Sequence, residues 1–568
     1  MADDLKNMSK NMRDIAQNAA ESTLALNPLV TLKPEDMVNA GATVMRAMMS
    51  EPQKMMGHWM DMSRSFAEIM TQKSDIAPDP KDRRFADTGW KNNPFSKGMM
   101  QAYLSWSETL TKAVEELDLP DRDAARARLF TSIYIDTMAP SNNFFANPAA
   151  LKNFFDTGGK SALNGVKKML TDITENQGLP SSVDTTKFEV GKNIAVTPGD
   201  VVFRNEVLEL VHYKATTEKV YKRPLFIVPP QINKYYSVDM APGKSMIEFL
   251  LAHGLQPFCV SWRNPTAEMR DWDMQTYIEA LDEACDAARE LTGSDDVNIM
   301  GSCSGGITLS AYAAWLNAQG QGDKINSVIL GVCVLDTMSG ADQDMAALVT
   351  PQTLEAARMA SAARGILDGQ DMAKMFAWMR PNDLIWNYWV NNYLLGNKPP
   401  AFDVLFWNAD TTRLPMGLHH FFLDMIGANP FVEPGSMSIG EHLIDMTKVN
   451  YPTYVIAGTT DHITPWTAVY QTAKLYGDDT TFILSNSGHL QSLLNPPGNP
   501  KSWFMKAPAS AASPEAWADT AEKHEGSWWV DWADMLQKNS AKEIAAPKKP
   551  GSKKYPSLAP APGTYVFE

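Results

Sequence analysis

The feature that most constrains the fold is a cysteine in a glycine-rich turn between a strand and a helix. Cys303 stands at the centre of residues 301–306, Gly-Ser-Cys-Ser-Gly-Gly, after the apolar run 297–300 and before the helix-like stretch 307–315. A sharp strand–turn–helix connection of this kind holds an exposed nucleophile, and its neighbours must be small because the backbone approaches closely. We predict that Cys303 is a nucleophile; the alternative is a buried structural cysteine.

Two later segments supply the partners that a nucleophile requires. Asp461 follows the apolar run 454–458, and His489 follows the run 481–484. The order nucleophile, acid, histidine, with the last two residues beyond the ends of late strands, is that of the α/β-hydrolase triad. We predict that His489 takes the thiol proton as general base and that Asp461 orients and stabilises the imidazole.

Other candidate residues are ranked lower. Asp336 ends an apolar run at 328–335 and is the second candidate for the acid, although capping the following segment is its more ordinary role. His462 is interpreted as a loop histidine, and Cys259 and Cys285 as small core residues. The nine histidines and four cysteines show no metal-binding spacing, so neither a metal nor another cofactor is expected.

An oxyanion hole requires two backbone N–H groups. One is expected from Ser304, the residue after the nucleophile, and the other from residues 229–234, Pro-Pro-Gln-Ile-Asn-Lys, which follow the early strand 225–228. Gln231, Ile232 and Asn233 are the candidates in this loop, and Ile232 is the predicted donor. The alternative is that the prolines only stiffen a connection.

Composition excludes several classes of function. The chain has 568 residues, of which 44% are hydrophobic, and a formal net charge of −15. An acidic balance argues against a nucleic-acid-binding protein, and an anionic substrate would require a local basic pocket. Four cysteines indicate a reducing compartment, and neither a signal-peptide pattern nor an apolar stretch of about 20 residues is present. We therefore expect a cytoplasmic protein, soluble or peripherally attached.

The distribution of strands predicts two domains. Residues 1–195 read as a mainly helical N-terminal domain, and residues 196–568 as an α/β catalytic domain with a doubly wound, mostly parallel sheet. The aromatic-rich segment at about 337–449 is predicted to be a lid insertion. In the first domain, Met56, Trp59, Met62, Phe66 and Met70 have helical spacing. This stripe is predicted to pack within the protein, and the alternative is contact with a partner or an apolar surface.

Four long strings carry a resemblance to a known family: 229–234, 380–389, 402–408 and 487–497. They resemble the polyhydroxyalkanoate synthases over about residues 80–568. The similarity is greatest to the class II enzymes, which polymerise medium-chain (R)-3-hydroxyacyl-CoA; Gln491 and the string 386–395 favour that subgroup. Cys333 occupies a position where serine or threonine is usual, and the resemblance implies that Cys333 and Gln491 adjoin the acyl pocket.

The resemblance also implies a reaction and partners. Cys303 would attack the thioester and release CoA, and a hydroxyl of another unit or of the growing chain would take the acyl group. Asp461 would either activate that 3-hydroxyl or only orient His489. The enzyme would act as a homodimer at the surface of the polyester granule, with the N-terminal domain and the 337–449 insertion as the contact regions. A thioesterase or depolymerase and a non-enzymatic granule-coat protein are the rival hypotheses.

Overall fold

The computed structural model describes residues 34–339, 350–379, 381–461 and 463–568. The chain divides into two compact units, which consist of Met1–Asp184, Ala341–Ala357 and Gln370–Phe402 for the first, and of Thr185–Gly340, Arg358–Gly369 and Asp403–Glu568 for the second. The first 33 residues of the predicted N-terminal domain and the predicted loop histidine His462 lie outside the described residues.

A large mixed sheet organises the second unit. Its strand order is β15-β14-β13-β12-β7-β6-β4-β5-β2-β1-β17. The strands are β1 Gly199–Arg204, β2 Leu208–Tyr213, β3 Lys219–Tyr221, β4 Leu225–Val228, β5 Pro257–Trp262, β6 Val297–Ser302, β7 Ile325–Gly331, β8 Ile366–Leu367, β9 Leu414–Pro415, β10 Ser438–Ile439, β11 His442–Leu443, β12 Thr453–Gly458, β13 Thr481–Ser485, β14 Trp503–Pro508, β15 Glu522–Glu525, β16 Glu543–Ala545 and β17 Ala559–Pro560. Strands outside the large sheet form the pairs β3/β16, β8/β9 and β10/β11.

The centre of the sheet is parallel and its edges are antiparallel. Parallel pairing joins β5, β4, β6, β7, β12 and β13 in that order. Antiparallel strands extend the sheet on both sides, β2, β1 and β17 at one edge and β14 and β15 at the other. The central strands are almost entirely buried, which explains why their sequences are predominantly apolar. Because they are parallel, their carboxyl ends meet at one edge of the sheet.

In the second unit, helix Ser304–Ala318 directly follows β6. The α-helices that lie entirely within this unit are Met246–Ala252, Met274–Thr292, Ser304–Ala318, Asp403–Ala409, Met416–Ala428, Trp466–Leu475, His489–Leu493, Pro514–Thr520 and Trp528–Asn539. Helix Trp528–Asn539 packs three buried tryptophans, Trp528, Trp529 and Trp532, into the main core. Helices Pro351–Arg364 and Gly369–Met379 each run from one unit into the other along the chain.

The first unit is helical in its described part. Its remaining α-helices are Pro34–Ser50, Pro52–Met70, Gly89–Asn92, Pro94–Glu115, Asp121–Thr137, Pro148–Asp156 and Lys160–Glu175, and two π-helices span Asn382–Trp386 and Trp389–Leu394. Gly165 lies directly against the second π-helix: a Cβ there would stand 1.8 Å from the carbonyl oxygen of Tyr393. The segment 382–400 thus packs with the N-terminal helices in one unit.

One detail of the strands differs from the sequence prediction. The apolar run 328–335, which the alternating pattern predicts to be a strand, is not a strand at its end, because β7 ends at Gly331 and Val332 has a φ of +45°. The apolar residues beyond Gly331 reflect burial of a loop and not strand pairing. The units divide after Asp184, and part of the 337–449 segment belongs to the first of them, so the lid stays a prediction.

The predicted stripe in helix Pro52–Met70 is split between two environments. Met62 is buried and Phe66 is partly buried, whereas Met56, Trp59 and Met70 are exposed. The expectation that the whole stripe packs internally is therefore wrong. Methionines occur on neighbouring faces of this helix, so the sequence contains more than one apolar stripe. Spacing alone does not identify the stripe that packs.

Candidate active site

Cys303 lies in a strained turn between β6 and helix Ser304–Ala318. Its φ of 50° and ψ of −125° are rarely adopted by residues with a side chain. The neighbouring strand β7 and the helix hold this conformation: the Cys303 N–H donates to Gly331 O at 2.9 Å, and the Cys303 carbonyl accepts from Gly306 N at 2.9 Å. The predicted strand–turn–helix context of Cys303 is therefore present.

The flanking glycines are required by space. A Cβ at Gly301 would lie 2.7 Å from the carbonyl oxygen of Gly305, and one at Gly305 would lie 2.3 Å from that of Val228. A Cβ at Gly306 would lie 2.9 Å from the Cβ and Sγ of Cys333. Main chain therefore approaches main chain closely on two sides of the turn, and Cys333 packs against its third side.

Asp461 and His489 meet beyond the ends of β12 and β13. His489 Nδ1 lies 2.7 Å from Asp461 Oδ2. Because a carboxylate only accepts, Nδ1 carries the hydrogen, which leaves Nε2 as the nitrogen available to Cys303. The neighbouring strands of a parallel sheet thus bring the predicted acid and base together, although 28 positions separate them in the chain.

The Asp461 carboxylate is fully buried and its acceptor positions are filled. Oδ1 accepts from the N–H groups of Ile463 at 2.9 Å and Thr464 at 3.0 Å. Oδ2 accepts from the Thr464 hydroxyl at 2.7 Å as well as from His489. Burial raises the pKa of Asp461, but the hydrogen bonds from His489 and Thr464 outweigh burial and lower the pKa below its usual value. The group therefore stays ionised.

The charge on Asp461 also controls the protonation of His489. Burial lowers the pKa of the imidazole, whereas the interactions with Asp461 and Cys303 raise it, and the net effect raises the pKa to about 10. An imidazolium is therefore strongly stabilised at this position, which is compatible with the general-base role predicted for His489.

The predicted oxyanion donors lie on two elements that are hydrogen-bonded to each other. The Gln231 N–H donates to Ser304 Oγ at 3.1 Å, and Gln231 Nε2 donates to Thr308 Oγ1 at 2.9 Å. The N–H and Nε2 donors of Gln231 are therefore both bonded to helix Ser304–Ala318. The Ser304 N–H belongs to the first helical turn, where donors lack a helical acceptor. Ser304 and Ile232 stay the predicted donors.

The remaining predicted residues have varied surroundings. Asp336 Oδ1 accepts from the N–H groups of Met338 and Ser339 and from Asn429 Nδ2, which is the capping role predicted for it. Gln491 is exposed in helix His489–Leu493. Burial raises the pKa of Cys333 well above its usual value, and it does the same for Cys259. Cys285 is also buried.

Thr464 is a site residue that the sequence prediction missed. Its hydroxyl donates to Asp461 Oδ2, and its Oγ1 also lies 3.1 Å from His489 Nδ1. The signal was present as an Asp-x-x-Thr spacing in front of the proline that precedes helix Trp466–Leu475. Such spacing is common at helix starts, so it did not single out a residue at a catalytic pair.

Two family models match the chain. The model described as "Poly-beta-hydroxybutyrate polymerase (PhaC) N-terminus" matches residues 81–250, and the model described as "alpha/beta hydrolase fold" matches residues 224–496. Poly(3-hydroxyalkanoate) polymerase 1 from Ectopseudomonas oleovorans is 45% identical over 560 residues, which are 99% of this chain and 100% of that protein. This chain belongs to the poly(3-hydroxyalkanoate) polymerase family.

Further relatives agree with this assignment. Poly(3-hydroxyalkanoate) polymerase 2 from Ectopseudomonas oleovorans is 44% identical over 96% of this chain and 97% of its own length. Poly(3-hydroxyalkanoate) polymerase subunit PhaC from Cupriavidus necator is 36% identical over 93% of this chain and 90% of its own. The predicted family and the predicted α/β-hydrolase fold are confirmed. Enzymes that bear these names are acyltransferases.

The described ranges hold neither a membrane-spanning helix nor a metal-binding cluster. Within residues 34–339, 350–379, 381–461 and 463–568, no helix is long and apolar enough to cross a membrane. The same residues contain no cluster of three or more histidine, cysteine, aspartate or glutamate side chains that could hold a metal ion.

The raised pKa of His489 predicts a pH-dependent contribution to stability. The folded-state pKa of about 10 lies above the ordinary value of 6.5, so the folded protein binds the proton more tightly. The contribution of His489 should be fully present below pH 6.5 and should be lost as pH rises toward 10, with a slope of at most about 1.4 kcal/mol per pH unit. Denaturant unfolding of wild type and His489→Gln at pH 6, 8 and 10 measures the difference.

His253→Gln is the matched control for the loss of an imidazole. The ring of His253 contacts the carbonyl oxygen of Phe249 at 2.8 Å instead of a carboxylate. A difference between wild type and His489→Gln that grows from pH 6 to pH 10 would contradict the proposed charge on the pair.

Proposed function

We propose that this protein polymerises (R)-3-hydroxyacyl-CoA thioesters into polyester, with release of CoA, through an acyl-Cys303 intermediate. The observation that carries the proposal is the strained Cys303 turn beside the Asp461–His489 pair, in a chain that matches named polymerases along almost its whole length. Neither feature alone is sufficient, because hydrolases share the geometry and sequence similarity does not identify a nucleophile.

Acylation begins with transfer of the Cys303 thiol proton to His489 Nε2. The thiolate attacks the thioester carbonyl, and the developing oxyanion accepts hydrogen bonds from the N–H groups of Ser304 and Ile232. The bond between the carbonyl carbon and the CoA sulfur then breaks, and the proton passes from His489 to the departing CoA thiolate. Exchange of one thioester for another is close to thermoneutral, which suits a cysteine nucleophile.

Elongation transfers the acyl group from sulfur to oxygen. The 3-hydroxyl of a second unit or of the chain end gives its proton to His489 and attacks the acyl-Cys303 carbonyl. The carbon–sulfur bond breaks, the Cys303 thiolate leaves, and the proton returns from His489 to the sulfur. A water molecule in place of the hydroxyl would make the protein a hydrolase, so the polymerase must exclude water from the acyl-enzyme.

Medium-chain acyl groups are the proposed substrates. Identity is higher to the two Ectopseudomonas oleovorans polymerases than to the Cupriavidus necator subunit, and Gln491 follows His489 by two residues as in the subgroup that the chain resembles. Cys333 packs against Gly306 in the first turn of the nucleophile helix, which supports a position beside the acyl pocket. Short-chain substrates are the alternative.

Incubation with (R)-3-hydroxydecanoyl-CoA and, separately, with (R)-3-hydroxybutyryl-CoA tests the reaction and the chain length. We expect thiol release and recoverable polyester from the decanoyl substrate. Cys303→Ala should lower thiol release to background, because no acyl-enzyme can form, and Cys285→Ala, at a buried cysteine in helix Met274–Thr292, is a cysteine control that retains the nucleophile.

The outcomes separate the hypotheses. Polymer from the butyryl substrate alone would exclude the medium-chain preference. Thiol release with only free hydroxy acid as product would indicate a hydrolase. Absence of thiol release from both substrates would favour a non-enzymatic granule protein.

The surroundings of Asp461 support an orienting role and not activation of the 3-hydroxyl. Its side chain is buried, and four donors from Ile463, Thr464 and His489 fill both oxygens. Its lowered pKa also makes it a poor base. A hydroxyl could reach Asp461 only by displacing one of these donors, so His489 is the base in both half-reactions.

Asp461→Asn should therefore slow acylation and elongation to a similar extent, by roughly 10²- to 10⁴-fold, because it disturbs the imidazole that both steps use. Single-turnover CoA release measures acylation, and transfer from a preformed acyl-enzyme to an added hydroxyacyl acceptor measures elongation. Asp336→Asn, at the second candidate for the acid, is the control. Loss of elongation with unchanged acylation would instead assign hydroxyl activation to Asp461.

We also propose that the first unit contacts the granule surface. Helix Lys160–Glu175 has Ser161, Gly165 and Asp172 on its buried side. On its outer side the apolar residues Leu163, Val166 and Leu170 are 73%, 51% and 47% exposed. An apolar stripe that faces outward is the reverse of the usual arrangement and marks a surface for another apolar phase. The homodimer stays a prediction.

Replacement of Leu163, Val166 and Leu170 by serine should reduce binding to purified polyester granules by on the order of tenfold, because three apolar contacts are lost. Co-sedimentation measures the bound fraction. Serine at Asn164, Lys167 and Thr171, which are exposed on the same helix, is the matched control. Equal binding of both triple variants would remove this helix from the contact surface.

A further inference from the structure

Lys234 is a buried lysine that the proposed mechanism does not use. It is the last residue of the oxyanion loop, by which we mean residues 229–234, and only 4% of it is exposed. Its Nζ donates to the main-chain oxygen of Glu568 at 2.7 Å. Burial lowers the pKa of Lys234, while Asp410 and Glu568 oppose that effect. Burial of an ammonium group is costly, so a structural gain must offset it.

Several contacts hold the oxyanion loop, among them bonds from Trp262 Nε1 to Pro229 O at 2.8 Å and from Trp407 Nε1 to Lys234 O at 2.7 Å. Gln231 connects its middle to the nucleophile helix through Ser304 and Thr308. On a second side, Thr412 donates from Oγ1 to Gln231 O at 2.5 Å and from N to Ile232 O at 3.2 Å. A further attachment is the side chain of Lys234.

The segment that Lys234 contacts is the tail, by which we mean residues 563–568. Besides Lys234, Asn264 Nδ2 donates to Glu568 O at 3.1 Å, and Arg263 Nε lies 3.0 Å from Glu568 Oε2. These contacts connect the tail to the loop that follows β5. The same loop also contacts the segment 403–413, since the Arg413 N–H donates to Asn264 Oδ1 at 2.9 Å.

A buried carboxylate fixes the start of the tail. Glu209 on β2 is fully buried and accepts from Thr564 N at 2.8 Å, Thr564 Oγ1 at 2.7 Å and Tyr565 N at 3.1 Å. Gly563 has a φ of +89°, and a Cβ there would lie 2.3 Å from Glu209 Oε2. A side chain at position 563 would therefore strain the backbone and press against the buried Glu209 carboxylate that holds the tail.

We propose that the docked tail, acting through Lys234, positions the oxyanion loop and so sets the place of the Ile232 N–H relative to that of Ser304. Lys234 and Glu568 are positioning residues and do not touch the reacting atoms. The inference rests on the oxyanion donors of the proposed function. It does not depend on the polymer, because any acyl transfer to Cys303 develops the same oxyanion.

Two reactions of Cys303 distinguish positioning from loss of structure. Acylation by a p-nitrophenyl ester passes through an oxyanion, whereas alkylation by iodoacetamide does not. In Lys234→Met we expect acylation to slow by about 10- to 100-fold while alkylation changes by less than about twofold, because only the first reaction requires the donors. Lys324→Met is the matched control: Lys324 is also buried and binds Asp282 at 2.8 Å and Asp286 at 3.2 Å.

A second variant displaces the tail without altering Lys234. Gly563→Ala introduces the clash with Glu209 and should give the same selective loss of acylation. Gly526→Ala is its matched control, because Gly526 has a φ of +94° and a Cβ there would meet nothing within 4 Å. This control should leave the ratio of acylation to alkylation unchanged.

Wild-type acylation rates in Lys234→Met or in Gly563→Ala would overturn the proposal. So would a parallel fall of acylation and alkylation in the variants, which would indicate a general structural role. Failure of the wild-type protein to be acylated by the ester would also overturn it. Failure to make polymer from acyl-CoA, with ester acylation intact, would overturn the proposed function alone.

Discussion

The positive φ of Cys303 is the constraint on which the arrangement of the active site depends. An L-residue adopts this conformation only where its surroundings impose it, and here β6 precedes the residue, a helix follows it and the Gly331 carbonyl receives its N–H. Close packing of Gly301, Gly305 and Gly306 then brings the helix start against the end of β4. The oxyanion loop begins at that strand end.

Electrostatics of the pair follow from burial that is compensated by hydrogen bonds. Asp461 is buried, which by itself would raise its pKa. Its pKa is nevertheless lowered, because each carboxylate oxygen accepts two hydrogen bonds. That buried charge in turn raises the pKa of His489 to about 10. Donors of Ile463 and Thr464 thus stabilise the charge on Asp461, and that charge in turn raises the pKa of His489, which follows the neighbouring strand β13.

Local signals explain which features could be predicted. The apolar runs around Cys303, Asp461 and His489 bound short segments, so the residues at strand ends could be read directly. The same reasoning was wrong beyond Gly331, where apolar residues continue into a buried loop, and for Met56, Trp59 and Met70, which are exposed. Apolar composition reports burial or a surface for another apolar phase, but it does not report strand pairing or which helix face packs.

The sequence by itself determined the turn at Cys303, the order of Asp461 and His489 after it, and the family, because each depends on residue types at short spacing. Only the tertiary structure decided that Thr464 completes the shell of Asp461, that Gln231 attaches the oxyanion loop to the nucleophile helix, and that Lys234 meets Glu568 across 334 positions. Contacts at such separation arise from strand order and docking of the tail, which no local pattern records.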